Sequence, residues 1–257
     1  MSTASAIVLG CGPSGGVPSV SGYWGKCQPF HPCNRRTRTS LALETNRGVW
    51  LIDASPDLRF QCLREGITRI QGILLTHAHA DHVNGLDDVK GWGRKKPVLV
   101  YGDSGTLESI RQRFSYMFDH AHAHHHPFLT LHSFDIGDVL PLPFARVETF
   151  EQDHRYVHSV GYRIGSMAYT TDAWRLDDRA LDILKGIDTW FVDCLDWNPC
   201  PTHAHWGKVQ DWLKVVQPQR TILIHMGTNM DYTEMKSQLP AGVEPAYDGM
   251  RVEVKLS

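Results

Sequence analysis

The sequence predicts a layered α/β fold with helices packed outside β-sheets. Eleven short apolar runs recur along the 257 residues, rich in valine, isoleucine, leucine and aromatics and bounded by turn residues. Five segments between them read as helices, most with apolar residues spaced about 3.6 apart. No internal repeat or long linker divides the pattern, so a single domain over residues 1–257 is expected.

The first run, AIVLG at 6–10, leads into the glycine-rich stretch LGCGPSGGVP. Gly10, Gly12 and Gly15 match G-x-G-x-x-G, but that dinucleotide fingerprint must open a helix. Pro13, Gly16 and Pro18 read instead as a loop, and no acidic residue closes a second strand about 20 positions on. TSLALET (39–45) and VWLIDAS (49–55) follow as strands, then DLRFQCLREG (57–66) as a helix. GILLTH (72–77) and PVLVYG (97–102) bracket the helical pattern DHVNGLDDVKGW (81–92), and GTLESIRQRFSYMF (105–118) forms the next helix. The tract His120–His126 fits neither template and reads as a histidine-biased loop. Beyond it come RVETF (146–150), VGYRIG (160–165), MAYTTDA (167–173), TWFVDC (189–194), TILIHM (221–226) and MRVEVKL (250–256) as strands. DDRALDILKG (177–186) and WGKVQDWLKVV (206–216) are helices among them.

Bulk properties exclude several classes. A hydrophobic fraction of 42%, a charged fraction of 21% and a net charge of −2 are ordinary for a soluble globular chain. No basic excess points to an extended nucleic-acid surface. No apolar run approaches the roughly 20 residues of a membrane span. The N-terminus lacks the basic region of a secretory signal. Six scattered cysteines do not form a disulfide framework, so reduced thiols and a cytoplasmic location are expected.

Fifteen histidines are the informative feature. The stretch THAHADH places His77, His79, Asp81 and His82 directly after an apolar strand. His77 and His79, two apart, point the same way in extended chain. Asp81 and His82 fall where the chain turns into a helix and can face a second point. His154 lies just beyond RVETF, Asp172 closes SMAYTT, and His225 closes TILI. If these strands run side by side, their ends converge on one edge, where α/β proteins place ligands. Two divalent ions about 3.5–4 Å apart activate water and stabilise an oxyanion. The nitrogen and oxygen donors suit zinc, with manganese or iron as alternatives.

THAHADH followed in order by His154, Asp172 and His225 resembles the metallo-β-lactamase superfamily, over nearly the whole chain. The resemblance implies an αββα four-layer sandwich with two metal ions at one edge. It implies His77, His79 and His154 for the first ion, Asp81, His82 and His225 for the second, and Asp172 bridging both. Asp53, which ends VWLID, would orient a ligand; Asp57 reads equally as a helix cap. An aspartate at the bridging position, where zinc β-lactamases carry cysteine, argues against an antibiotic hydrolase. The glycine-rich opening resembles the phosphodiesterase branch, above all its phosphoribosyl cyclic phosphate phosphodiesterases. His203 and His205, in CPTHAHWGKVQDWL, lie where that branch carries a histidine that contacts phosphate or protonates the leaving oxygen.

The expectation is therefore a metal-dependent hydrolase of a small cyclic or nucleotide-like phosphodiester, with metal-bound hydroxide attacking phosphorus and His203, His205 and Asp81 as catalytic residues. A thioester or lactone hydrolase on the same metals is the enzymatic alternative, and a non-catalytic nucleotide- or metal-binding module the other. A homodimer without membrane contact is the expected assembly. Cys27, His31 and Cys33 supply three of the four ligands a structural zinc needs. Arg35, Arg36 and Arg38 read as a solvated face, and Trp24, Trp92, Trp174 and Trp206 as packing residues.

Overall fold

The computed structural model describes residues 2–94, 96–118 and 127–256. Six strands build most of a first sheet: β1 (Thr3–Gly10), β2 (Ser40–Thr45), β3 (Gly48–Ile52), β4 (Gly72–Leu74), β5 (Val98–Asp103) and β6 (Leu129–Phe134). The second sheet follows with β7 (Val139–Pro141), β8 (Arg146–Asp153), β9 (His158–Ile164), β10 (Met167–Thr170), β11 (Thr189–Asp193), β12 (Arg220–Ile224) and β13 (Val243–Pro245). The last strand, β14 (Arg251–Lys255), returns to pair with β1 and closes the first sheet as its seventh strand.

Side-chain alternation shows how the sheets pack. Ala4, Ala6 and Val8 of β1, Leu41 and Leu43 of β2, and Trp50 and Ile52 of β3 share one apolar cluster with Val147, Val160 and Tyr162 of the second sheet. The intervening residues, Ile7, Leu9, Ala42 and Leu51, face the other way and pack with α1 (Leu58–Glu65) and α4 (Ser104–Arg113). On the far face of the second sheet lie α5 (Asp178–Leu184) and α6 (Trp206–Val216). The layers run helix, sheet, sheet, helix, which is the expected αββα sandwich. Among the described residues no helix is long and apolar enough to cross a membrane.

Register sets the site. Strands β10, β11 and β12 are parallel, with Thr170 beside Val192 and Asp193 beside Ile224. Their exits, Asp172, Asp193 and His225, therefore leave at one end. In the first sheet β3 and β4 are parallel, with Ile52 beside Leu74, so Asp53 stands next to Thr76.

Three strands escape the sequence pattern. The short edge strands β7 and β13 are three residues each, and β6, LTLHSF, carries polar residues that blur its apolar run. The pattern at 81–92 breaks into α2 (Ala80–Val83), a 3₁₀ stretch Asn84–Val89 and α3 (Lys90–Gly93). Gly85 explains the break: a Cβ there would lie 2.1 Å from the Ser55 carbonyl, so the backbone packs directly on Ala54–Ser55. The α-helix α7 (Tyr232–Gln238), which the sequence pattern did not anticipate, buries Met235 alone and shows no apolar period.

Trp190 is fully buried in the second sheet, and its indole N–H donates to Thr170 Oγ1 at 2.9 Å. Thr170→Val keeps the shape and orphans that donor. It should cost about 1–3 kcal/mol in denaturant unfolding; a change below about 0.3 kcal/mol would show the pair to be energetically idle.

Candidate metal centre

The seven strand-end residues meet in one cluster. Donor atoms of His77, His79, His154 and Asp172 lie within 4.8 Å of one another, as do those of Asp81, His82, Asp172 and His225. Asp172 belongs to both groups, and its two oxygens divide between them. Oδ2 stands 3.7 Å from His77 Nε2 and 3.5 Å from His154 Nε2. Oδ1 stands 3.1 Å from His82 Nε2 and 3.4 Å from His225 Nε2. Asp81 Oδ2 is 3.3 Å from His82 Nε2 and 3.7 Å from His225 Nε2.

The imidazoles are aimed by their other nitrogens. His82 Nδ1 bonds to Asp53 Oδ2 at 2.7 Å, His77 Nδ1 pairs with Thr76 Oγ1 at 3.0 Å, and His154 Nδ1 donates to the Thr202 carbonyl at 2.8 Å. Asp53 is itself held by the Thr76 amide at 2.8 Å and the Thr76 hydroxyl at 2.9 Å. Such partners fix the ring and leave Nε2 for a ligand. The Arg113 guanidinium, from the end of α4, donates to the Ala78 carbonyl and to Asn84 Oδ1, both at 2.6 Å, and ties down the THAHADH loop.

The backbone is strained at the same points. Asp53 (φ 64°), Asp172 (φ 53°) and His225 (φ 56°) all adopt the left-handed region. Each costs a non-glycine residue about 1–3 kcal/mol and is retained where the surroundings over-determine it.

The electrostatics call for cations. Burial opposes ionisation of Asp172, yet the imidazoles of His225 and His82 outweigh it and hold the carboxyl well below its usual range. Asp81 is likewise depressed: burial opposes its charge, and hydrogen bonds from His225 and His82 prevail. His82 moves up because Asp172 and Asp53 overcome its burial, whereas burial and then His82 push His77 down. Burial also lowers His154, against Asp172. Nε2 of His77, His82 and His225 is buried without a hydrogen-bond partner among the described residues. Orphaned imidazole nitrogens around ionised carboxylates are the donor chemistry of a divalent cation, so these residues fit one.

The two candidate proton donors part company. His203 joins the cluster: its ring centroid lies 4.8 Å from that of His154 and 4.7 Å from that of His225. Its Nδ1 is 3.1 Å from Asp193 Oδ2, and its Nε2 is 3.9 Å from Asp172 Oδ2. His205 occupies the position before α6 and lies in none of the metal-binding groups among the described residues. The residue that sequence reasoning passed over is Asp193. Fully buried, it accepts from the Ala173 and Ala204 amides at 3.1 and 3.3 Å besides holding His203. Its signal was present, since Asp193 closes TWFV as Asp53 closes VWLI.

Elsewhere the expectations shift. Asp57, at the start of α1, makes no cap bond and pairs with Arg38 Nε at 2.8 Å. Arg36 is not on a solvated face: it is 2% exposed, and its guanidinium reaches Asn34 Oδ1 at 3.3 Å and the carbonyls of Gly227 and Met230 at 3.2 and 2.5 Å. Cys27 lies against this guanidinium, while His31 accepts from the Cys33 amide and stacks on Tyr232. Trp174 is half-buried, with Arg155 at 4.2 Å and Lys208 at 4.0 Å from its ring centroid. The tract His120–His126 lies outside the described residues.

A family described as the β-lactamase superfamily domain matches residues 50–226, more than half of the chain. The chain belongs to the β-lactamase superfamily. Its metallo-β-lactamase fold is shared closely with a solved structure described as a new diphosphatase from the PhnP family. That protein is 31% identical, with a TM-score of 0.90 covering 99% of this chain and 98% of the other. Among curated relatives, an octanoyltransferase of Porphyromonas gingivalis is 32% identical over 252 residues, 95% of this chain but 50% of the relative. A ribonuclease Z of Latilactobacillus sakei is 30% identical over 142 residues, 52% of this chain and 44% of the relative. This superfamily member thus spans half or less of the length of these two relatives.

Asp53→Ala should release His82 and weaken the cluster around it by about 10- to 100-fold in cation affinity, read by chelator competition with zinc. The His77–His79–His154 cluster, which Asp53 reaches only through Thr76, should weaken less. Equal weakening of both, or of neither, would remove Asp53 from the role of holding His82.

Proposed function

We propose that the chain is a dinuclear metal-dependent phosphodiesterase acting on a small cyclic or nucleotide-like phosphodiester. The reading is carried by His203, an aspartate-held imidazole standing beside the carboxylate that the two clusters share. His77, His79 and His154 would hold one ion and Asp81, His82 and His225 the other, with Asp172 between them. Zinc suits this set, with manganese or iron as alternatives. Bound there, the ions supply Lewis acidity toward phosphoryl oxygens and lower the pKa of water.

The chain's own residues do the rest. Asp53, Thr76 and the Thr202 carbonyl orient the ligand imidazoles. His203 carries the proton for the leaving oxygen on Nε2 while Asp193 holds Nδ1. Burial disfavours its charge, but Asp193 and then Asp172 outweigh burial and push its pKa up to about 9. That direction favours the protonated form an acid catalyst needs. His205 has no comparable carboxylate, and burial with the Lys208 ammonium lowers its pKa. Asp81 acts in this scheme as a ligand.

The likeness to a diphosphatase favours a second reading, in which the bond cleaved is a P–O–P anhydride on the same centre. A matched phosphodiester and diphosphate diester, assayed on zinc- and manganese-loaded protein, separate the two by kcat/KM.

Asp172→Ala should lose at least one ion per chain by elemental analysis and nearly all turnover, with the circular dichroism spectrum retained; activity above about a tenth of wild type would leave Asp172 a mere strand-end residue. His203→Gln should lose about 10²- to 10⁴-fold on an alkyl phosphodiester and far less on an aryl one of low leaving-group pKa, at unchanged metal content. His205→Gln serves as the comparison, with KM affected more than kcat. Equal His203 losses on both substrates would exclude a general acid there. Because the acid form of His203 is the active one, the alkyl-ester rate should fall as pH rises through its pKa. Neighbouring cations lower that value, so the basic limb should lie at or below about pH 9 and vanish in His203→Gln.

A further inference from the structure

A cleft of about 530 Å³ opens beside His77 and His79, between the turn from β5 into α4 and the turn from β8 into β9. We propose that this cleft holds the retained alcohol portion of the substrate and selects one that carries a free hydroxyl, as a sugar or glycerol does, with Asp103 and His158 as the specificity-determining pair. The inference rests on the phosphodiester reading above.

Asp103 lines the cleft and is 6% exposed. Its Oδ1 caps α4, accepting from the Gly105 and Thr106 amides at 3.0 and 3.1 Å. Its Oδ2 is buried and has no hydrogen-bond partner among the described residues. An unpaired buried acceptor costs about 1–3 kcal/mol, and a ligand donor recovers that energy when the Asp103 side chain turns the covered Oδ2 toward the cleft. Half-exposed His158 stands beside it, with Nε2 3.6 Å from Asp103 Oδ1. Thr106 and Ser109 add hydroxyls to the same wall, and Tyr156 stands 87% exposed at the rim.

Charge and hydrogen-bond chemistry choose the ligand class. Among the described residues no arginine or lysine lines the cleft, and Asp103 already occupies the α4 amides, so a second phosphate finds a carboxylate where it needs a cation. An ammonium can donate to Asp103 but pairs with His158 only in the tautomer that leaves Nε2 unprotonated, whereas a hydroxyl pairs with either. A plain alkyl or aryl group leaves Asp103 Oδ2 unpaired. A hydroxyl donates to the one and accepts from the other. Tyr156 offers an aromatic face of the kind that stacks on a sugar or base.

The test uses metal-loaded protein and two diesters with one leaving group: 4-nitrophenyl glyceryl phosphate and 4-nitrophenyl propyl phosphate. Wild type should prefer the glyceryl ester by about 10- to 100-fold in kcat/KM. Asp103→Ser keeps an N-cap and removes Oδ2; the ratio should fall to near one, with metal content as in wild type. His158→Phe, at the outer end of β9, should lower the ratio as well. A wild-type ratio near one, or one that survives Asp103→Ser, overturns the inference. Calorimetric binding of glycerol 1-phosphate against propyl phosphate gives the same comparison without catalysis. If neither diester turns over, the phosphodiesterase reading fails while the binding ratio still decides this one.

Discussion

The structure turns on the burial of four carboxylates in one small volume. Asp53, Asp172 and Asp193 are 0–2% exposed, and Asp81 is mostly covered. Ionised carboxylates are costly in a protein interior unless donors and cations surround them. Asp53 is met by Thr76 and His82, and Asp193 by two backbone amides and His203. Among the described residues Asp172 has the Thr171 hydroxyl at 2.8 Å and a ring of imidazoles. Those imidazoles cannot all be protonated side by side, since like charges at these separations repel. A cation between Asp172 and the rings would balance the arrangement, and the strained backbone at Asp53, Asp172 and His225 lies around that same point.

The sandwich supplies what such a cluster needs. Parallel pairing sends several strands out of each sheet at one end, and a residue placed just after each strand has nowhere to go but the shared edge. Strand β4 delivers His77, β10 delivers Asp172 and β12 delivers His225, while the antiparallel pair β8–β9 turns His154 in beside them. The strand ends carry the clustered histidines and aspartates, and the loops around them are where such folds usually vary.

Much of this was legible in the sequence because the clustered residues sit at fixed offsets from strand ends. Alternation within VWLI or TILI places the strand, and the next polar residue is then at the edge whatever the rest of the fold does. Asp193 follows the same rule but stands in no compact motif. Between His203 and His205, two residues apart, the sequence favoured His203 by family resemblance alone, with no physical ground for the preference. The choice depends on how the stretch after β11 folds back, with the Leu195 amide on the Ala204 carbonyl and the Ala204 amide on Asp193. Nor could periodicity reveal β6, β7, β13 or α7, because partial burial and edge positions leave no full apolar stripe.

Arg36 shows the same limit from the other side. Read as one of three clustered arginines, it belongs on a solvated face; in the fold it is the buried tie between the N-terminal loop and the segment after His225. Its guanidinium spans the Gly227 and Met230 carbonyls, and Asn34 links it to Asp231, whose carboxylate also receives the Gln28, Thr233 and Glu234 amides. Cys27 packs against that guanidinium, so the region of Cys27, His31 and Cys33 is held by an organic cation with five fixed donors. A planar, permanently charged group can staple two loops through backbone carbonyls alone, without four matched side-chain ligands. The loop that follows His225 is thereby anchored from outside the cluster. His225 can then keep its strained φ and its unpaired Nε2 aimed at Asp172.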